Sequence, residues 1–115
     1  MITVDFETQP IERRPDYPPT PVGGAVLAGR GRATYDAWGH PTRNTPKGQE
    51  RLLARLAKDG DWLCHNASFD VAVAVEKLGL PCPKHIEDTL FLVFLADPYG
   101  EHGLKPCAER YLGRL

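Results

Sequence analysis

Polar and apolar side chains alternate over the first eight residues, where Ile2, Val4 and Phe6 occupy every second position. A period of two is that of a β-strand with one face in a core and the other toward solvent. A proline-rich stretch, QPIERRPDYPPTP, follows and predicts an irregular loop. Two further apolar stretches, VGGAVLAG and RATYDAW, are separated by a glycine-containing turn and predict a β-hairpin.

The rest of the chain alternates between patterns typical of helices and of short buried strands. Thr45 and Pro46 have the N-cap and first-position chemistry of a helix that ends before Gly60. Asn66 or Ser68 is expected to cap the second helix. The third helix, LFLVFLA, is apolar on nearly all sides, which predicts that it is buried. The predicted helices cover residues 46–58, 69–78, 90–96 and 104–112, and the strands between them cover 62–65 and 85–89. This order of elements is that of a mixed α/β domain.

Composition places few further limits on the chain. Its 115 residues suit one domain, and 42% apolar with 25% charged residues is ordinary for a globular protein. A net charge of −1 gives no overall basic field, although a local basic groove is compatible with a neutral protein. Three widely spaced cysteines argue against a disulfide framework and for a reducing, cytoplasmic compartment. We expect no membrane partner and no signal peptide, because no apolar run is long enough and a strand pattern starts at once.

The polar face of the first predicted strand carries two carboxylates. Asp5 and Glu7 are two positions apart, so they project from the same face with alpha carbons roughly 6.5–7 Å apart. Carboxylates this close repel each other unless a positive charge lies between them. A pair of hard divalent cations about 3.5–4 Å apart, as in two-metal nucleases, would satisfy both. The alternative is the solvent-facing side of an ordinary antiparallel strand.

The stretch HNASFD, residues 65–70, places polar groups where a buried strand ends and a helix begins. Binding sites in open α/β sheets gather at such crossings. Asn66 and Asp70 are four positions apart and share one helix face. An acid in a first helical turn is also favoured by the helix dipole alone, which is the alternative explanation of Asp70. We expect Asp70 to meet the carboxylate pair of the first strand.

Three segments in this order resemble the DEDD (DnaQ-like) superfamily of 3′–5′ exonucleases. VDFET resembles the D-x-E motif on the first strand of that family, and HNASFD resembles its N-x-x-F/Y-D motif at a helix start. EDTLFLVFLADPYGEHGLKPCAERYLG resembles the segment that follows, and is most similar to the proofreading exonuclease domain of family A DNA polymerases. The resemblance implies an RNase H-like fold, with three antiparallel first strands and flanking helices.

The same resemblance implies a site and a reaction. The reaction is two-metal hydrolysis of the last phosphodiester at the 3′ end of single-stranded DNA, which releases nucleoside 5′-monophosphates. Mg²⁺ or Mn²⁺ would be the cofactor, and a polymerase domain or subunit would be a partner, in a bacterial or phage-like cytoplasm. The implied catalytic and metal-binding residues are Asp5, Glu7 and Asp70, and the implied substrate contacts are Thr8, Asn66 and Phe69.

The third motif of the family has no counterpart in the chain. It is a helix with a tyrosine or histidine and a following aspartate, whereas no aspartate follows Asp97 here. Tyr111 falls in the preceding helix and is not assigned that role. Asp88 matches a D-T pair of the family and is expected to cap a helix rather than bind metal. We therefore expect an RNase H-like exonuclease domain over residues 1–115 that is C-terminally incomplete, has a weak second metal site, and hydrolyses DNA poorly or not at all by itself.

Other interpretations stay open at this stage. The domain could be a non-catalytic module that binds single strands or a partner protein, or a 3′–5′ exoribonuclease, since contacts to a 2′-hydroxyl have no signature here. Weaker patterns are a zinc site at Cys82, His85, His102 and Cys107, a phosphate-contacting helix face at Lys47, Arg51, Arg55 and Lys58, and a border of the substrate path at Arg13, Arg14 and Tyr17.

Overall fold

The chain folds as one five-stranded sheet with helices packed on it, in a computed structural model that describes residues 1–10, 17–29 and 31–113. The predictions for Arg13 and Arg14, and the middle of the hairpin turn, lie outside these residues. The strands are β1 Ile2–Thr8, β2 Pro21–Ala28, β3 Thr34–Ala37, β4 Asp61–Cys64 and β5 His85–Asp88. The helices are α1 Gly48–Leu56, α2 Ala67–Ala72, α3 Thr89–Ala96 and α4 Leu104–Leu112, and a π-helical turn, Val73–Lys77, continues α2.

The sheet has the strand order β3-β2-β1-β4-β5. The pairs β1–β2 and β2–β3 are antiparallel, whereas β1–β4 and β4–β5 are parallel. This arrangement confirms the predicted mixed sheet with three antiparallel first strands. Asp5 pairs with Ala25, which in turn pairs with Tyr35, so these three residues lie side by side on one face of the sheet.

The other face of β1 carries the core. Val4 and Phe6 are buried against Leu52 of α1, as the alternating pattern predicts. Gly24 lies between Phe6 and Leu52. A Cβ on Gly24 would come within 3.1 Å of Leu52 Cδ2 and 3.2 Å of Phe6 Cδ1. The lack of a side chain at this position therefore lets α1 approach the sheet closely.

The basic residues of α1 are partly used inside the protein. Asp36 is buried, and its carboxylate accepts a hydrogen bond from Arg55 Nε at 2.9 Å. Arg51 Nε lies 3.5 Å from the other oxygen of the same carboxylate. A buried carboxylate needs such partners because removal from water otherwise disfavours its charge. The pairing leaves less of this helix face available for phosphate than the sequence pattern suggests.

Helix α1 begins later than predicted. Its N-cap is Lys47, with a φ of 53°, and the helix starts at Gly48 rather than Pro46. A Cβ on Gly48 would lie 2.3 Å from the carbonyl oxygen of Ala37, so only glycine fits where the helix meets β3. Thr45 N also donates to that carbonyl, at 2.8 Å. Docking of this turn on β3 thus overrides the capping pattern at Thr45 and Pro46.

The prediction that the apolar third helix is buried is wrong. No residue of α3 is buried, and Phe91 and Leu95 expose 59% and 61% of their surface. Helix α3 follows β5, a four-residue strand at the edge of the sheet. The described residues leave the outer side of α3 exposed, and only Thr89, Leu90 and Val93 are partly covered. No helix in the described part of the chain is long and apolar enough to cross a membrane.

Candidate active site

The candidate site lies along the part of β1 that extends beyond its pairing with β4. Strand β4 pairs with β1 only at Ile2 and Thr3, so the same edge of β1 has no strand partner further along. There the carboxylate of Asp70, in the first turn of α2, accepts a hydrogen bond from Phe6 N at 3.0 Å. Asp70 is 2% exposed. The polypeptide therefore anchors Asp70 to β1 at the residue that lies between Asp5 and Glu7.

The acids at this position are held in an unfavourable environment. Burial raises the pKa of Asp70 to about 7, the Phe6 N–H opposes that rise, and the charges of Asp5 and Asp88 add to it. Burial also raises the pKa of Asp5, followed by the charge of Glu7, while His65 lowers it. Asp5 and Asp70 are thus close enough for the charge of one to disfavour ionisation of the other. A hard divalent cation relieves this kind of repulsion.

The Glu7 carboxylate points toward Tyr35 and His40 rather than toward Asp70. Tyr35 Oη donates to Glu7 Oε2 at 2.5 Å, and His40 Nε2 lies 3.6 Å from Oε1. The hydrogen bond raises the pKa of Tyr35 to about 12, so the phenol stays protonated as the donor. Within residues 1–10, 17–29 and 31–113, no group of three or more His, Cys, Asp or Glu side chains could hold a metal ion, and this includes the zinc candidates.

The structure therefore brings Asp5 and Asp70 together but turns the Glu7 carboxylate toward β3. A site built from all three carboxylates stays a prediction. Sequence reasoning missed the contacts of Tyr35 and His40. Strand register was the signal that could have revealed Tyr35, because the residue opposite Asp5 on β2 faces Tyr35 on β3. No local pattern marks His40, which lies in the loop after β3.

Asp88 orders the corner between β4 and α2. Its carboxylate accepts hydrogen bonds from Asn66 N and Ala67 N, both at 2.9 Å, and from Leu90 N at 2.9 Å. The predicted cap of α3 by Asp88 is confirmed. Asn66 occupies the N-cap position of α2, as predicted, but neither its side chain nor that of Ser68 accepts a hydrogen bond from the helix N-terminus.

Asn66 instead has a left-handed backbone, with a φ of 71°, and its side-chain oxygen accepts from Ser68 Oγ at 3.1 Å. Its side chain is exposed at the surface. The Asp88 carboxylate accepts the hydrogen bonds that a side chain within α2 would otherwise accept. It therefore caps both α2 and α3. The backbone of the Asn66–Asp70 segment is therefore fixed from a different strand.

Two histidines connect the site to the loop after α3. His65 Nε2 donates to the carbonyl oxygen of His102 at 2.6 Å, and His65 Nδ1 lies 2.8 Å from Thr89 Oγ1. The ring of His102 points elsewhere, with Nε2 donating to the carbonyl oxygen of Asp97 at 2.6 Å. His102 thus contacts His65 through its backbone, while its ring binds within its own loop. His65 thereby attaches this loop to the end of β4.

A cavity adjoins Glu7, and an aromatic pair includes Phe69, the residue before Asp70. The cavity has a volume of about 830 Å³ and starts at Glu7 and Thr8, with His40 and Lys77 also lining it. Thr8 Oγ1 donates to Gln9 O and keeps its lone pairs available. The rings of Tyr17 and Phe69 lie 6.3 Å apart in a tilted arrangement. Aromatic and cationic groups of this kind suit bases and phosphates.

Comparison with known proteins gives the fold. No protein-family model matches the chain, and no curated protein matches it. NrnC from Brucella melitensis superposes with a TM-score of 0.71 in a structure with bound Mg²⁺, at 23% identity over 97% of this chain and 53% of that chain. NrnC bound to pGG gives a TM-score of 0.70 at 22% identity, over 97% of this chain and 52% of that one.

A polymerase shares the fold as well. Pol1 from M. smegmatis, described as its POL domain in complex with DNA primer-template and dNTP, gives a TM-score of 0.64 at 22% identity, covering 98% of this chain and 18% of that chain. The RNase H-like fold expected from the sequence is thereby confirmed. The chain spans about half the length of NrnC and a smaller share of Pol1.

Proposed function

We propose that the chain is a divalent-metal-dependent 3′–5′ exonuclease domain that acts on single-stranded DNA and releases nucleoside 5′-monophosphates. The observation that carries the proposal is the hydrogen bond from Phe6 N to Asp70. This bond fixes the buried carboxylate of Asp70, from the HNASFD segment, against β1, which carries the VDFET segment. An acid that only caps its own helix needs no such contact with β1.

The donor chemistry at Asp5 and Asp70 suits Mg²⁺ or Mn²⁺. Both groups are carboxylates, the ligands that hard cations prefer, and burial raises the pKa of each. Glu7 is the third proposed ligand, and it must leave Tyr35 and His40 to join them. NrnC has a structure with bound Mg²⁺, which supports the choice of metal.

Three groups of residues would have separate roles in the proposed hydrolysis. Asp5, Glu7 and Asp70 would hold the cofactor, which would supply positive charge to the phosphodiester and make water a better nucleophile at neutral pH. Phe69 and Tyr17 pack against the terminal bases, which holds the end of the strand at the site. Asn66 and Thr8 orient the strand through hydrogen bonds. These contacts read no sequence, because they address backbone and ring faces.

A single-stranded nucleic acid is the proposed ligand for two reasons. The cavity beside Glu7 carries the cationic side chain of Lys77 and an imidazole, which suit phosphate. Among the fold relatives, NrnC has been seen with pGG and Pol1 with DNA. A polymerase domain or subunit is a proposed partner on the strength of the Pol1 relationship.

Cleavage of labelled oligonucleotides tests the proposal. The native chain at high concentration should shorten 5′-labelled single-stranded DNA slowly, one nucleotide at a time, with Mn²⁺ and not with EDTA. Asp5→Asn and Asp70→Asn should each abolish the ladder, whereas Glu76→Gln, an exposed acid on the segment after α2, should leave it unchanged. A ladder that survives both aspartate substitutions would refute the assignment. Matched RNA in the same assay decides whether the domain is an exoribonuclease.

A binding module without catalysis is the second candidate. The observation that favours it is the engagement of Glu7 by Tyr35 and His40, which leaves no group of three ligands among the described residues. Fluorescence anisotropy with a labelled single strand separates the two functions. A module binds equally well in EDTA and after Asp70→Asn, while the exonuclease site binds more tightly with Mn²⁺ and loses that gain in the variant.

A further inference from the structure

One side of the protein carries a cluster of positive charge that the proposed active site does not use. Arg51, Arg55 and Lys58 follow one another at spacings of four and three residues, so they share one face of α1 and its C-terminal turn. Lys58 N donates to the carbonyl oxygen of Arg55 at 3.3 Å, which continues the helix to this residue. Glu50 is the only acid of α1, and it is not three or four positions from any of the three. The face is therefore basic along its length.

Arg32 joins this cluster from the loop before β3. A cavity of about 160 Å³ lies between α1 and the strands β2 and β3, and Arg32, Arg55 and Lys58 line it together with Thr34. The rest of the lining is apolar, and no acid among the described residues contributes to it. We use the name α1–β3 basic patch for the following four residues: Arg32, Arg51, Arg55 and Lys58.

One buried carboxylate compensates part of this charge. Asp36 accepts a hydrogen bond from Arg55 Nε at 2.9 Å, and Arg51 Nε lies 3.5 Å from its other oxygen. Within the part of the chain that the structure describes, Arg32 and Lys58 form no ion pair with an acid, and Asp59 accepts from Asp61 N instead. Four cations and one carboxylate leave a net charge of +3 on a chain whose total is −1. Like charges gathered in this way repel one another unless an anion joins them.

We propose that the α1–β3 basic patch binds the phosphate backbone of a nucleic acid, with one phosphate in the 160 Å³ cavity. That volume equals about five water molecules at about 30 Å³ each, which suits a phosphate group but not a whole nucleotide. Asp36 engages Arg55 through Nε, so the two terminal NH₂ groups of the guanidinium remain as donors for phosphate oxygens. These contacts address charge alone, so the patch binds the backbone without reading bases.

The edge strand β3 separates the patch from the acids. Consecutive side chains of a strand point to opposite faces of the sheet. Tyr35 accordingly reaches Glu7 on one face, whereas Asp36 pairs with Arg51 and Arg55 on the face that α1 covers. Because β3 lies at the edge of the sheet, a nucleic acid strand that passes Tyr35 needs only to round this edge to meet the patch. The inference rests on the proposed function only in taking a nucleic acid as the polyanion.

The salt dependence of binding tests the proposal. Fluorescence anisotropy of a labelled DNA single strand is measured in EDTA between about 50 and about 200 mM salt. Replacing both Arg32 and Lys58 by alanine should weaken binding and reduce the slope of log affinity against log salt by about 1.4, because each phosphate contact to a single strand adds about 0.7. The matched control replaces Lys84 and Lys105, which are exposed lysines outside the patch, and should keep the native slope.

Arg51 and Arg55 stay unchanged in this test, because their removal would leave the buried Asp36 carboxylate without a partner. Far-UV circular dichroism confirms that each variant is folded. A native slope in the variant that lacks Arg32 and Lys58 would overturn the proposal, as would an equal reduction in the control. Anionic lipid vesicles that bind through Arg32 and Lys58, while the DNA slope stays the same, would overturn it as well, because the ligand would then be a membrane.

Failure of the patch and failure of the proposed exonuclease give different results. A native chain that shortens DNA with Mn²⁺, but whose salt slope does not depend on Arg32 and Lys58, would refute the patch alone. A native chain that leaves DNA intact, but whose slope in EDTA falls with the two substitutions, would refute the exonuclease and support the patch. The variant without Arg32 and Lys58 should bind Mn²⁺ as the native chain does, since neither residue contacts Asp5 or Asp70.

Discussion

Replacing Asp70 by asparagine should stabilise the metal-free chain at alkaline pH. The variant keeps the acceptor oxygen for Phe6 N and removes only the charge. Burial raises the pKa of Asp70 from 3.8 to about 7, so the folded protein binds a proton that the unfolded chain releases in this range. The native chain should therefore lose stability as pH rises from about 4 through about 7. The full loss is about 4 kcal/mol at 1.36 kcal/mol per pKa unit.

Urea unfolding followed by tryptophan fluorescence measures this directly, because Trp62 is buried in the core. In EDTA, the free energy of unfolding of the native chain should fall between about pH 4 and about pH 7. Asp70→Asn should remove most of that slope and should be the more stable protein at the alkaline end. A smaller slope of the same sign should remain, because burial also raises the pKa of Asp5. Glu76→Gln is the control and should follow the native curve.

Two results would refute the reasoning. One is a native chain whose stability increases over this range, which would mean that the Asp70 carboxylate is stabilised as an anion. The other is an Asp70→Asn variant with the native pH slope, which would locate the titrating group elsewhere. The first result would also remove the main physical argument for a cation at this position.

Three further outcomes are expected. Asp88→Ala should lower the free energy of unfolding by about 1–2 kcal/mol and speed amide exchange at the start of α2, since three N–H groups lose their acceptor. Gly48→Ala should cost about 1–3 kcal/mol in urea unfolding, because its Cβ would overlap the backbone of β3, whereas Gly31→Ala, whose Cβ would come no nearer than 3.6 Å to Ala28 O, should cost less. Tyr35→Phe should raise the affinity for Mn²⁺ by up to about tenfold, since Glu7 is then released; unchanged affinity in an isothermal titration would mean that Glu7 is not a ligand.

Local patterns predicted the sheet well. The alternation at Ile2, Val4 and Phe6 placed β1 and its buried face correctly, because one strand with one core face has a single register. The bounds of α4 were also predicted, as Gly103 and Gly113 flank an uninterrupted helical pattern. These elements depend on residues that are neighbours in sequence.

The features that were not predicted from the sequence depend on contacts between residues far apart in the chain. The cap of α2 comes from Asp88, twenty-two positions after Asn66, so no motif around α2 reveals it. The start of α1 depends on contact between Gly48 and β3. The burial predicted for α3 assumed a partner, and hydrophobicity alone does not say whether that partner is in the same chain.

The placement of the acids was predicted in part. The resemblance to the exonuclease family brought Asp5 and Asp70 to the same region, and the Phe6–Asp70 hydrogen bond is how the fold achieves it. The direction of Glu7 was not predictable from β1 alone, because Tyr35 and His40 reach it from β3 and the following loop. The position of a strand-borne residue follows from its period, but the contact that its side chain makes depends on the neighbouring strands.

Titration of the chain with Mn²⁺, followed by the electron paramagnetic resonance signal of the free ion, tests the central claim most directly. The native chain should bind Mn²⁺ at neutral pH, and Asp70→Asn should weaken binding at least about tenfold, which is about 1.4 kcal/mol. Glu76→Gln should bind as the native chain does. Equal binding by the native chain and Asp70→Asn, or none by either, would contradict the claim that Asp5 and Asp70 form a metal site.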